Sequence, residues 1–417
     1  MDVRNHDDVT RLRRNTLDRI YLADACRLTA STSYRSSAAE NRVTIMRSPT
    51  GTLQPSNSFP HRRGLTSGYL MKLIRESLRM TQFQLSELLD VDVATIQGWE
   101  TGRRPVTSMR VADLAYLRAK LIHRGANPKL FEVLRDAVDA DLVLDYAIKR
   151  GSAKVDGTGH PLAAVVHRRD LTNLITWPLT GSLPSQLAGL VDIDATRRGP
   201  SSRHPELGAD ERQRLFSHLL KIADERRRAD DALLRRQAIY LLAFDSEPTT
   251  AGWLVDEHRA ALNRARSRND VPAWVAVRSA SVALARYGFQ EPLIDFVATG
   301  LSDDEQAIAN LNYWAYWVGE ASDTYTDDSF MAANDPRHAA GTRLFRHLVD
   351  RLDNASEQAE LYIHTLWQLL LARPNVAAGD PSARMAAQRK IQMLDTAGLT
   401  ASARQKVSDV TYGLRLS

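Results

Sequence analysis

Thr81-Gln82-Phe83-Gln84-Leu85-Ser86-Glu87-Leu88-Leu89-Asp90-Val91-Asp92-Val93-Ala94-Thr95-Ile96-Gln97-Gly98-Trp99-Glu100-Thr101-Gly102-Arg103-Arg104-Pro105 is the stretch from which the fold is read. Just upstream, Leu70, Ile74 and Leu78 recur every fourth residue, which gives a first helix one apolar stripe. Thr81 with Gln84 three positions later fits a capping box and starts a second helix. That helix buries Leu85, Leu88 and Leu89 and must then stop within a turn. Asp92 is placed to cap a third helix whose inward side is Ile96 and Trp99. Gly102 ends it and Pro105 prevents its resumption.

Two short helices joined by a tight turn, with little core of their own, predict a helix-turn-helix. The third helix leaves Val93, Ala94, Thr95, Gln97 and Gly98 outward, the positions that meet base edges when such a helix enters a DNA major groove. The stretch resembles the Cro/phage-repressor (XRE) helix-turn-helix family through Thr81-Gln82, Leu85, Val91, Ile96, Trp99-Glu100, Gly102 and Pro105. The resemblance implies a five-helix-type domain over residues 65–125. It also implies a phosphate contact for Gln82, base reading by Val93, Ala94, Gln97 and Gly98, and phosphates near Arg103 and Arg104. Asp92 and Thr95 complete the expected DNA-facing set. Three residues depart from the pattern. Ser86 replaces a usual Ala, and Asp90 replaces Gly at a turn that calls for a left-handed backbone. Gly98 stands where a long polar side chain is common.

Val93 and Ala94 can meet only thymine methyls, so Gln97 and Thr95 are the polar readers and direct readout is modest. One such module buries only about 600–1,000 Å² and binds weakly alone. A homodimer on an inverted repeat, with half-sites about one helical turn apart, is therefore expected. Charge is placed accordingly. Residues 1–67 hold 11 Arg against 6 acids, and residues 68–125 hold 9 basic residues against 6 acids. Residues 126–417 hold 35 basic and 38 acidic residues, so the basic end is the end expected to meet a polyanion. Residues 1–64, rich in Ser and Pro, are expected to be a largely disordered basic arm. In it, Arg62 and Arg63 are placed to enter an adjacent minor groove, with a solvated tail as the alternative.

Residues 126–208 read as a helical connector, and residues 209–417 as nearly continuous helix. Arg236–Ala243 lies 42 residues before Arg278–Ala285, with identities at Arg236/Arg278, Ala238/Ala280, Leu242/Leu284 and Ala243/Ala285. Each copy is followed by a second apolar helix, at 250–265 and at 290–300. Stacked helix pairs of the HEAT or tetratricopeptide kind, an α-solenoid-like effector and dimerisation region, are expected. The aromatic run Tyr313-Trp314-Ala315-Tyr316-Trp317 is read as core packing, with a ligand or peptide pocket around Tyr313, Trp314 and Trp317 as the second reading. Arg226–Arg228 and Arg235-Arg236, interleaved with acids, are read as a solvated, ion-paired face.

No apolar run is long enough to span a bilayer, and the first residues carry acids without an apolar core, so neither membrane insertion nor secretion is expected. The single cysteine, Cys26, fits a reducing, cytoplasmic compartment. No paired metal spacing, phosphate loop or nucleophile motif occurs, so no cofactor and no enzymatic activity are expected. The composition, with 47 Arg against 8 Lys, fits a GC-rich genome, and the layout resembles the large XRE regulators of filamentous actinobacteria. The expectation is thus an all-α transcriptional regulator that binds operator duplex DNA and receives a peptide or small-molecule effector. The alternative is a helical-repeat interaction scaffold with an auxiliary helix-turn-helix.

Overall fold

The computed structural model describes residues 64–150, 159–166, 168–191, 202–226, 228, 231–267, 270–320, 328–332, 341–353 and 356–416. Every regular element among the described residues is helical, as the sequence predicts. The expected basic arm, including Arg62, Arg63 and Cys26, lies outside the described residues.

The head of the chain is α1 (Leu65–Ser77), α2 (Gln82–Leu89), α3 (Val93–Glu100) and α4 (Val111–His123). The predicted stripe of α1 is only part of its buried surface. From Leu65 to Arg75 every residue except Lys72 is buried, because α3 packs on one side and α5 (Lys129–Arg150) on the other. A helix covered all round belongs inside a larger body, not at the edge of a free-standing module. The partner helix α5 shows why it fits. Leu130, Leu134, Ala137, Ala140, Asp141, Leu144 and Ile148 form one buried face, and the fully buried Ala137 and Ala140 keep that face narrow at its middle.

Asp141 fixes the register of this pair. It is 5% exposed, and its carboxylate accepts from the backbone N–H of Thr66 at 2.7 Å, the N–H of Ser67 at 2.9 Å and the Ser67 hydroxyl at 2.6 Å. These are the unpaired donors at the start of α1, so a residue 75 positions away acts as its N-cap. Burial pushes the Asp141 carboxyl up to about 6, and its hydrogen bonds hold the rise in check.

The segment expected to be a helical connector carries core of its own. After α5 come α6 (Pro161–Ala164) and α7 (Arg169–Thr180). The break between them is held by the Thr172 hydroxyl, which donates to the Val165 carbonyl at 3.1 Å. Trp177 of α7 is fully buried and meets Tyr69 of α1 edge-on, with ring centroids 5.2 Å apart. One hydrophobic cluster accordingly runs from Tyr69 through α5, α7 and α8 (Ala209–Glu225) to Leu284.

The remaining helices are α9 (Ala232–Leu242), α10 (Pro248–Ser267), α11 (Val271–Arg286), α12 (Glu291–Thr299), α13 (Asp304–Trp317), α14 (Thr342–Arg351), α15 (Ala359–Ala372), α16 (Pro381–Met393) and α17 (Ala401–Leu416). A second hydrophobic cluster runs from Ala261 to Leu414 through these elements. The repeated segments fall on α9 and α11, each followed by the second helix that the sequence predicts. Ala238, Ala280, Leu242 and Leu284 of the repeat are core residues, which is why they recur. The recurring Arg236 and Arg278 are not core fillers of that kind; both line a cleft. The expected arginine face is ion-paired as read, but Arg235 and Arg236 are not solvated. Arg235 pairs with the buried Glu257 at 2.5 Å and Arg236 pairs with Asp328, because the helix carrying them is packed on both sides.

Candidate nucleic-acid interface and ligand cleft

The segment from Thr81 to Gly102 folds by local rules. The Thr81 hydroxyl accepts from the Gln84 N–H at 3.1 Å while the Gln84 side chain accepts from the Thr81 N–H at 2.9 Å, closing the predicted capping box. Asp90 ends α2 in the left-handed region at φ 56°, ψ 51°, where the sequence pattern calls for Gly. Asp92 occupies the N-cap of α3, with its backbone carbonyl accepting from Thr95 and its side chain free of capping bonds. Gly68 sets the approach of α1 to α3. A Cβ there would meet the Trp99 carbonyl oxygen at 2.3 Å, so only glycine lets the two backbones touch.

A chain of polar side chains then fixes the exposed face of α3. Arg75, 7% exposed, donates to both carboxylate oxygens of buried Glu100, at 2.6 and 3.0 Å, and to the Met80 carbonyl at 2.7 Å. This fork ties α1 to the end of α3 and to the turn before α2. Gln82 donates to Glu100 at 2.8 Å, and Gln97 donates to the Gln82 carbonyl oxygen at 3.4 Å. Gln82 is thus half-buried and turned inward, where it positions Gln97. The inward role of Glu100 was legible, since it lies one turn after Ile96 on the same side of the helix. The partnership with Arg75 was not read from the sequence.

The expected reading residues divide into three groups. Ala94 and Gln97 are exposed on α3, and Arg103 and Arg104 are exposed just beyond it. Val93 and Thr95 are half-buried, and the Thr95 hydroxyl accepts from Arg104 at 3.0 Å. Gly98, expected to face outward, is buried. Its missing side chain makes room for the stem of Arg104, whose Cγ and Cδ would lie 3.2 Å from a Cβ at that position. Arg104 therefore lies back across α3, with its stem over Gly98.

A second site is a cleft of about 1040 Å³ in the C-terminal part. Its wall comes from α7, α9, α11, α13, α14 and α15 and from segments between them, and from none of α10 or α12. Tyr313, Trp314 and Trp317 all line it. Trp314 is buried and packs on Tyr362 and His347, as core packing predicts. Tyr313 and Trp317 are half-buried, with ring planes within 6° of parallel and centroids 6.3 Å apart. The Arg278 guanidinium sits 3.8 Å from the Tyr313 ring centroid and 5.3 Å from that of Trp314. Burial, helped by Arg351 and Arg169, pulls His347 down to about 4 and keeps it neutral at physiological pH.

Among the described residues, no cluster of His, Cys, Asp and Glu could hold a metal ion, and no helix is long and apolar enough to cross a membrane. No protein-family model, curated protein or solved structure matches the chain.

Proposed function

We propose that the protein is a cytoplasmic, sequence-specific transcriptional regulator. In this reading α3 enters the major groove of operator DNA, a homodimer engages an inverted repeat, and the C-terminal helices form a solenoid-like effector region. The observation that carries the reading is the exposed row of Ala94, Gln97, Arg103 and Arg104. Its members lie on and just beyond a helix whose other side is locked by Arg75, Glu100 and Gln82. Gln97 supplies the donor and acceptor that suit adenine, Ala94 suits a thymine methyl, and the two arginines suit phosphates or a guanine edge. The resemblance of residues 81–105 to the XRE pattern supports the same reading.

Mobility shifts on fragmented genomic DNA test it, with sedimentation of the free and bound protein alongside. The expected outcome is a subset of fragments bound as a dimer, with affinity falling steeply as salt rises. Arg103→Gln should weaken binding to all fragments and lower the salt slope by about 1. Protein that binds no duplex above background, but captures a protein partner, would overturn the reading in favour of an interaction scaffold.

A further inference from the structure

Seven arginines line the C-terminal cleft, against two carboxylates, Asp350 and Glu357. Four of the seven have their charge or donors used inside the protein. Arg169 pairs with Asp170, Arg236 with Asp328 and Arg346 with Asp380, while Arg343 donates to the Gly319 carbonyl. Arg278, Arg286 and Arg351 make no ion pair with any described residue. Arg278 is the informative one. It is 6% exposed, its Nε has no acceptor, and its only close neighbours of note are the faces of Tyr313 and Trp314. Arg286 lies 4.3 Å from the Phe244 ring centroid, and its Nη1 is likewise buried without an acceptor.

The surplus is one of donors as well as charge. Gln237 Nε2 and Trp314 Nε1, both on residues that line the cleft, are buried and lack partners too. A wall with cations to neutralise and N–H groups to satisfy calls for a ligand rich in acceptor oxygens. Arg343 also keeps its charge, so four cations without an acidic partner face the carboxylates of Asp350 and Glu357, a surplus of two that a single carboxylate would leave under-neutralised. The parallel rings of Tyr313 and Trp317, with Tyr240 beside Trp317 at 6.2 Å, offer a surface for a planar ring. The volume sits at the upper end of the ~300–1,000 Å³ typical of small-molecule sites.

We propose that this cleft binds a small molecule bearing several negative charges on a planar ring, of nucleoside-phosphate chemistry. The phosphates lie toward Arg278, Arg286 and Arg351, and the base stacks beside Trp317, because Arg278 covers one face of Tyr313. The proposal does not depend on DNA binding by α3, and its test is read without DNA.

The experiment is isothermal titration calorimetry on the intact chain. The probes are the four ribonucleoside triphosphates, their monophosphates, the free nucleosides and inorganic pyrophosphate. The expected result is one bound triphosphate per chain for at least one base. Its nucleoside and pyrophosphate should each bind at least tenfold more weakly. Arg278→Met and Arg351→Gln should each weaken binding at least tenfold, with helical content and melting temperature retained. Arg103→Gln/Arg104→Gln should leave it unchanged. Absence of binding by every triphosphate would overturn the proposal. So would equal binding by pyrophosphate, equal binding in folded Arg278→Met and Arg351→Gln, or loss only on substitution at 103 and 104. Because Arg351 is exposed on the rim, its variant keeps the test decisive if the buried substitution misfolds.

Discussion

Arg75 and Arg278 are buried to nearly the same degree, 7% and 6% exposed, and the two ends of the molecule treat them in opposite ways. Arg75 is held by both oxygens of Glu100 and by a backbone carbonyl, so its charge and most of its donors are answered within the fold. Arg278 is held by aromatic faces, and its Nε is left without an acceptor. A buried cation with a built-in partner serves architecture, here the attachment of the exposed α3 face to α1. A buried cation without one carries a desolvation cost that the fold alone does not repay. On the ligand proposal, the bound anion repays that cost.

The largest expected effect comes from breaking the paired cation. Arg75→Met strands the Glu100 carboxylate in a buried site and should cost about 3–5 kcal/mol. Hydrogen exchange should then show α1 to α3 opening while α13 to α15 keep their protection; equal loss in both regions would show that the two ends unfold as one. The second test is pH, which should also move the ends in opposite directions. His347 and His364 are pulled down to about 4 by burial. Their contribution is therefore present above the unfolded value of ~6.5 and lost as pH falls toward 4, at a cost of about 2 kcal/mol each by about pH 5. Asp141 is raised to about 6, so its contribution is present below the unfolded carboxylate range and lost as pH rises through 6. Exchange measured at about pH 5 and about pH 7, corrected for intrinsic rates, should show α14 and α15 less protected at the lower pH. The start of α1 should not share that loss.

Removing the unpaired cation should have a smaller effect and the reverse sign. Arg278→Met replaces an uncompensated charge with an apolar chain of similar reach. It should leave the melting temperature unchanged or raise stability by about 1 kcal/mol. A loss comparable to that of Arg75→Met would mean that Arg278 is structural and would erase the contrast. Smallest of all, Asp90→Gly relieves a left-handed residue at φ 56° and should stabilise the helix-turn-helix by about 0.5–1 kcal/mol, read by thermal melting.

What the sequence made legible follows the range of the forces involved. The capping box at Thr81 and Gln84, the left-handed turn at Asp90 and the stop at Gly102 are set by neighbours within a turn, and each forms as expected. The helices that carry the two similar segments were legible because their alanines and leucines recur with the core. Gly98 was misjudged because its cover comes from Arg104, which follows a helix end and folds back over it. The Asp141 cap on α1 spans 75 residues, and no local pattern announces it. The cleft was only glimpsed. Its aromatic residues stood out as a run, but its arginines come from separate helices, and only the repeat of Arg236 at Arg278 hinted that they share a wall.

The measurement that bears most directly on the central claim is selection of bound duplexes from a random pool by the intact protein. It is run beside a Gln97→Ala/Arg104→Ala variant of unchanged helical content. An enriched inverted repeat that the variant no longer selects is the predicted result. Enrichment of the same motif by the variant would place the readout elsewhere than on α3, and no enriched motif with the intact protein would contradict the account outright.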